Sequence, residues 1–462
     1  MDYRQVVYNA PQHIVEFLDP DSGDVKVKFN IKDSPLLSFS YSTNVRDTQG
    51  KFSITLYPDD LKTKEHLLKK INTLDIVNIY QNITGKEQVT KPSFTGIVKK
   101  RKYVSQCSDS VSRRLVISGY SVAGLIDQFF INLDVNATSI TAQAAGDEEL
   151  RFTVNNLTDP SSLPTLDVVV DNMWKSFCKL AKKYDKLSSI KMLDYIEKYV
   201  GSNPFDFESP PKLHYPLGSV FAGQTTQNFY SILNVLCTQP VYESFVFRDD
   251  EGKMRVKVRE VPFDVGDTWD KLPTQEIKPL DVKGFDFSLS DEEVYTVFFS
   301  YLDGYAIQED IALKTQAVET RQDSSLILYD EKYQKYGYRP LFANFKGYSI
   351  QTGKKDTSTQ DNITKLNTRL RDWYGNLENM LNGTINISCK TMDEMPVTGG
   401  KIKFLGGEFY VEGVEVKWNY GGNTEATLIV SRGGKYDSGK FEPFEDIADK
   451  FAMIEAAKAV QQ

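Results

Sequence analysis

The sequence predicts an α+β protein, mainly β, with two related small antiparallel β-barrels at the two ends of the chain and helical and mixed α/β insertions between them. Three observations carry that expectation. Four strand-like segments recur in the same order at both ends. They are GKFSITLY (Gly50 to Tyr57), DIVNIYQ (Asp75 to Gln81), SFTGIVKKRKYV (Ser93 to Val104) and RRLVISG (Arg113 to Gly119), then GTINISC (Gly383 to Cys389), GKIKFLG (Gly400 to Gly406), EFYVEGVEVKWNY (Glu408 to Tyr420) and EATLIVSRGG (Glu425 to Gly434). Within them apolar residues alternate, as at Phe52, Ile54, Leu56 and at Val414, Val416, Trp418, the period-two mark of a half-buried strand. Between the two sets the apolar period lengthens to that of helices. A glycine interrupts the long third strand of each set (Gly96, Gly413), where a barrel needs a bulge or bend.

At 462 residues the chain is too long for one core. The pattern divides it into an N-terminal arm and first barrel over 1–130, a helical insertion and linker over 131–216, and a mixed α/β middle domain over 217–358. A helix and second barrel follow over 359–436, then a C-terminal amphipathic helix over 437–462. In the arm, Ile14 to Leu18 and Val25 to Ile31 flank DPDSGD, a hairpin turn. A short polar helix is expected from Asp59 to Ile71. From Val168 the residues Val170, Trp174, Phe177, Ala181 and Tyr184 share one helical face, and Leu187, Ile190, Leu193 and Ile196 the next. Four prolines in 201–216 read as a linker. A helix starting at Gln224 to Thr226 buries Phe229, Ile232, Leu233 and Leu236 and stops at Pro240, before a hairpin of YESFVFR and KMRVKVREV.

An apolar strand is expected over 294–302. The tyrosine-rich stretch from Tyr329 to Leu341 suits a core or a protein interface, where a rigid ring with a polar tip buries area at little entropy cost. The helix from Thr359 to Asn382 carries Ile363, Leu366, Leu370, Trp373, Leu377 and Leu381 at spacings of three and four, with Gly383 as its stop. Gly375 inside it costs about 1 kcal/mol relative to alanine. In the tail, Pro443 opens a helix with Phe444, Ile447, Phe451 and Ile454 on its apolar edge.

The charge balance, 55 basic against 63 acidic residues for a net −8, argues against a surface built to grip nucleic acid. It is compatible with a channel through which DNA passes without sticking. No basic leader, apolar signal core or membrane-length run occurs, so the expected place of synthesis and assembly is the cytosol. Cys107, Cys178, Cys237 and Cys389 stand singly and are expected to be reduced thiols, at least two of them buried.

The chain has three histidines, His13, His66 and His214, and no HExxH, GxSxG or phosphate-binding loop. No catalytic, cofactor-binding or metal-ligating residue is assigned, no cofactor is expected, and the chain reads as a non-enzyme. The acidic turns at Asp19 to Asp24 and at Asp249, Asp250 and Glu251 read as solvated hairpin turns in preference to metal loops. The Gly-Gly pairs at Gly399, Gly406, Gly421 and Gly433 likewise read as hairpin turns, and SDEE (Ser290 to Glu293) as a turn before the next strand.

The runs LSFSYSTNVRDTQGKFSITLYPDD, DIVNIY, FTGIVKK and RRLVISGYSVAGLI resemble the first barrel of the central baseplate hub proteins of contractile phage tails and related injection machines, the phage late control or tail hub family. FVFRDDEGKMRVKVREVPF, FSLSDEEVYTVFFSY, YGYRP and the helix leading into GTINI and TLIVSR extend the likeness over most of 30–435. The resemblance implies a homotrimer whose two barrels per chain make a pseudo-sixfold ring, adapting a sixfold tail tube to a threefold spike. It implies tube, spike, other baseplate proteins and the tape-measure protein as partners, a place in the virion or tail particle, no specific nucleic-acid binding and no membrane insertion. Whether the particle is a phage, a bacteriocin or a secretion system stays open. Two rival readings are a tail-associated cell-wall hydrolase and a carbohydrate-binding receptor module.

Overall fold

The computed structural model describes residues 12–442 apart from 31–33, 61–63, 83–89, 108–110, 129, 133–166, most of 169–191, 209–225, 238–239, 264–266, 303–323, 346–356, 390–394 and 438–439. The N-terminal part holds β1 (Gln12–Leu18), β2 (Val25–Asn30), β3 (Leu36–Asn44), β4 (Asp47–Leu56), β5 (Ile76–Asn82), β6 (Phe94–Cys107) and β7 (Val111–Ser121). The middle holds β8 (Phe130–Asn132), α1 (Met192–Tyr199), β9 (Phe205–Glu208), β10 (Thr226–Asn228), α2 (Phe229–Leu236), β11 (Tyr242–Arg248), β12 (Met254–Glu260) and β13 (Thr274–Glu276). It continues with β14 (Val282–Ser288), β15 (Val297–Leu302), β16 (Ser324–Leu328), α3 (Asp330–Tyr336), β17 (Pro340–Phe345) and α4 (Thr357–Tyr374). The C-terminal part holds β18 (Leu381–Ser388), β19 (Lys401–Phe404), β20 (Gly407–Asn419), β21 (Thr424–Asp437) and β22 (Lys440–Glu442).

One 14-stranded sheet dominates, in the order β14-β18-β21-β20-β3-β4-β7-β6-β5-β1-β2, with β19 and β13 branching from β20 and β22 from β21. It contains two copies of one pattern. Unit 1 runs β3-β4-β7-β6-β5-β1 and unit 2 runs β14-β18-β21-β20-β19-β13. The described strands pair as an open path, and the copies are fused edge to edge. They differ at one end, where β1 joins β5 antiparallel and β13 joins β19 parallel.

Alternation sets the two cores. Phe52, Ile54 and Leu56 of β4, with Ile97, Leu115 and Ile117, belong to a core shared with the middle elements. Ile385, Ile387, Phe404, Phe409, Val411 and Leu428 form the separate core of unit 2. In the middle, β11 and β12 form the expected hairpin, and β9 adds to β12 in parallel. A further sheet, β16-β15-β17, packs against α4.

Several elements depart from expectation. In place of a polar helix over 59–71, the described residues of that range hold an Asp59–His66 bridge and one 3-10 turn at Leu67–Lys69. Lys64 there takes a positive φ, which an α-helix does not allow. The N-terminal arm is a hairpin as expected, but β1 also pairs with β5 along its whole length and so belongs to unit 1. The start of the proline-rich linker is strand β9, and the helix expected from 224 begins only at Phe229, capped by the Asn228 side chain on the Ser231 N–H. Helix α4 stops at Tyr374. A Cβ at Gly375 would lie 2.4 Å from the Arg371 carbonyl oxygen, so the glycine ends the helix and Leu381 belongs to β18.

Neither glycine of the long strands is a bulge. The extra residues nearest them are Lys99 in β6 and Glu412 in β20, seen as register shifts between Val98 and Lys100 and between Val411 and Gly413; β20 shifts once more between Glu408 and Tyr410. Gly96 is small because the Phe52 ring lies 2.6 Å from where its Cβ would be. Gly406 and Gly421 do sit in hairpin turns at positive φ, whereas Gly433 lies within β21 against the Phe409 ring.

Val170 and Trp174 are buried as the helical face requires, and Leu193 and Ile196 are buried on α1. Phe177, Ala181, Tyr184, Leu187, Ile190, His214 and the tail helix from Pro443 lie outside the described residues. Cys237 and Cys389 are buried free thiols, and burial pushes the Cys389 thiol up to about 12. The tyrosine-rich stretch forms α3 and leads into β17, with Tyr333 and Tyr338 exposed.

Candidate assembly interface

The structural feature with the clearest consequence is the joint between the units. Strand β20 pairs with β19 at its start, through Gly407 to Tyr410, and with β3 of the other unit at its end, through Gly413↔Asn44, Glu415↔Ser42, Lys417↔Ser40 and Trp418↔Phe39. The bulge at Glu412 makes the change of neighbour. Its carbonyl accepts from the Val45 N–H at 2.8 Å, and its carboxylate lies 3.7 Å from the Arg46 guanidinium.

The end of the joint is packed with aromatic rings. Trp418 stacks on Phe39 at 5.6 Å, and the His13 imidazole meets both edge-on at 5.2 and 5.5 Å. His13 Nε2 lies 2.8 Å from the Thr424 hydroxyl of β21, so β1 of unit 1 is tied to unit 2. Burial lowers the pKa of His13 to about 3. A buried, uncharged imidazole is a packing group here.

This placement has a measurable consequence. The unfolded imidazole titrates near 6.5 and the folded one near 3, so between those values only the unfolded chain takes up the proton. The contribution is intact above about pH 6.5 and is lost as pH falls towards 3, at about 1.4 kcal/mol per pH unit. Relative to the His13→Gln variant, the wild type should lose stability on acidification in denaturant titrations. Parallel pH profiles would refute the burial.

A second anchor fixes unit 2 to the middle hairpin. Arg259 of β12 donates from Nε to Glu243 Oε1 at 2.7 Å and from Nη2 to the Gly399 carbonyl at 2.6 Å. The Tyr410 hydroxyl donates to Glu243 Oε2 at 2.7 Å. All three side chains are buried. Burial alone would lower the Arg259 pKa, but the adjacent Glu243 carboxylate and Tyr410 hydroxyl more than reverse it.

His13 and His66, the two described histidines, lie in different parts of unit 1. His13 is in the joint, and His66 caps the 3-10 turn by accepting from the Leu68 N–H. The turn at Asp19 uses its carboxylate on the Asp21 and Ser22 N–H groups and on Lys26. Asp249 accepts from Glu251 and Lys253 N–H in the same way. The SDEE segment is an exposed turn with Asp291 beside Arg339. Among the described residues no three His, Cys, Asp or Glu side chains are grouped to hold a metal, and no helix is long and apolar enough to cross a membrane. The edge-to-edge joint escaped sequence reasoning, because pairing between strands hundreds of residues apart leaves no local signal.

No protein-family model and no curated protein matches the sequence. Among solved structures, the chain is similar to the tail protein from Neisseria meningitidis MC58, with a TM-score of 0.50, 10% identity, and coverage of 91% of this chain and 96% of that one. The chain has the fold of that tail protein. It also matches the prophage MuSo2 tail protein from Shewanella oneidensis (TM-score 0.48, 12% identity, 92% and 97% covered) and an E. coli type VI secretion component (TM-score 0.39, 10% identity, 88% and 76% covered). At those scores neither adds to the fold assignment.

Proposed function

We propose that the chain is a non-catalytic structural hub in the baseplate of a contractile tail or injection machine. Three copies form a pseudo-sixfold ring between the sixfold tube and the threefold spike. The observation that supports this most is the duplicated unit with its edge joint. Each chain presents two units of one strand order already fused head to tail, and a heterologous joint of that kind, repeated at a rotation of about 60° with no axial rise, closes into a ring of six units. Three chains then give six similar units, and the open path of each chain becomes part of a closed sheet. The partners on this reading are two further copies, the tube, the spike, other baseplate proteins and the tape-measure protein, and the place is the tail particle. The fold shared with a tail protein agrees with it.

Electron microscopy of assembled particles tests the proposal. Density for three copies is expected at the junction of tube and spike, with both units of each copy at similar radius and about 60° apart. Six copies, or a position at fibre tips, would exclude the hub and favour the receptor-binding module.

A further inference from the structure

We propose that β14 of one copy pairs antiparallel with β6 of the next, in a register fixed by the internal joint, with Ser288 opposite Lys102 and Asp286 opposite Val104. This deepens the hub reading by naming the strands that join neighbouring copies.

The argument rests on the matched bulges. In unit 1, β3 bulges at Leu37 against β4 and β6 bulges at Lys99 against β7. In unit 2, β14 bulges at Lys283 against β18 and β20 bulges at Glu412 against β21. Counting from these residues makes the two units superimposable in register. Glu415 and Lys102 each lie three past their bulge, and Ser42 and Ser288 five past theirs. Within the chain, Glu415 is paired with Ser42. The counterpart pair, Lys102 with Ser288, is split between the two ends of the described sheet. Val98 still bonds on the second side of β6, donating to the Asp75 carbonyl and accepting from the Leu74 N–H; beyond it no described strand pairs with that side, and β14 has β18 as its one described strand neighbour. Long unpaired edges of this kind template pairing with another chain.

Side chains agree with a second copy as the occupant. Lys102, Tyr103, Ser105, Asp286, Ser288 and Leu289 are exposed in the single chain, whereas Val416, the counterpart of Tyr103, pairs with Tyr41 across the internal joint and is buried in the core of unit 2. Charge is complementary with the sign reversed. The internal joint sets Arg46 against Glu412. At the equivalent positions the chain carries Glu292 and Lys99, each inside a run of like charge, Asp291 to Glu293 and Lys99 to Lys102. The acidic turn of one copy therefore meets the basic strand of the next, and two identical edges repel.

The test is cysteine cross-linking of the full-length chain, alone at millimolar concentration and within assembled particles, using mild oxidation and a short bismaleimide. Lys102→Cys combined with Ser288→Cys should give covalent dimers and trimers that neither single variant nor the wild type gives. The slipped pair, Lys102→Cys with Asp286→Cys, should cross-link less. Lys99→Glu should weaken ring formation about tenfold through like charges facing one another, and adding Glu292→Lys should restore it. Three copies at the tube–spike junction without the in-register cross-link would overturn the joint and leave the hub reading. The cross-link in rings found elsewhere would do the reverse. A chain that stays monomeric and un-cross-linked in both samples, or that favours the slipped pair, overturns the proposal.

Discussion

Replacing Trp418 by alanine is expected to cost about 3–5 kcal/mol of stability, the range for truncating a fully buried large aromatic side chain. The ring is buried on β20, stacked on Phe39 and capped by His13, so its loss opens a cavity at the place where unit 2 meets unit 1. The neighbours Glu415 and Lys417 point the other way, are partly exposed, and pair with each other at 3.0 Å. Alanine at either should change stability by no more than about 0.5 kcal/mol. Denaturant midpoints of the three variants decide the matter. Equal sensitivity on both faces would show that the strand register is wrong.

The second large effect is expected at Glu243. Removing its carboxylate with Glu243→Ala leaves the buried Arg259 guanidinium with its charge unpaired, which costs about 3–5 kcal/mol. Arg259 still has the Gly399 carbonyl, but a carbonyl does not neutralise a cation in a low-dielectric site. Replacing Glu243 and Arg259 together by methionine should be far milder, because no desolvated charge remains. A double variant as unstable as Glu243→Ala would show that packing around Phe245 and Tyr410, and not the charge pair, holds the hairpin to unit 2.

The eight strands of the two repeated sets are all present, with ends within about three residues, because alternation and turn glycines are local signals. Val414, Val416 and Trp418 share the buried face, as their spacing requires. What the chain does not display locally is which strand lies beside which. The β20·β3 joint and the union of β1 with β5 depend on edges meeting in space, and their residues look like those of any half-buried strand. Bulge positions are hidden in the sequence for a related reason. A bulge is defined by the partner's register, and the glycines serve close approach of Phe52 and Asn44 instead. The 59–71 segment is helical in composition, yet its described residues carry a bridge between Asp59 and His66 and a positive φ at Lys64, neither of which an α-helix allows. At the histidines, sequence spacing indicated no convergence, but it did not reveal that His13 lies among the rings of the joint.

Strand β20 is a neighbour of β19 over one part of its length and of β3 over the rest, while β21 lies along its other side throughout, across two register shifts. A single backbone thus belongs to both halves of the molecule, and a swivel between them would have to shear the ladder from Gly413 to Asn419 all at once. Interfaces made of side chains alone can slide or rock under load. Here the two halves share one hydrogen-bonded ladder, so neither can turn against the other without breaking backbone hydrogen bonds.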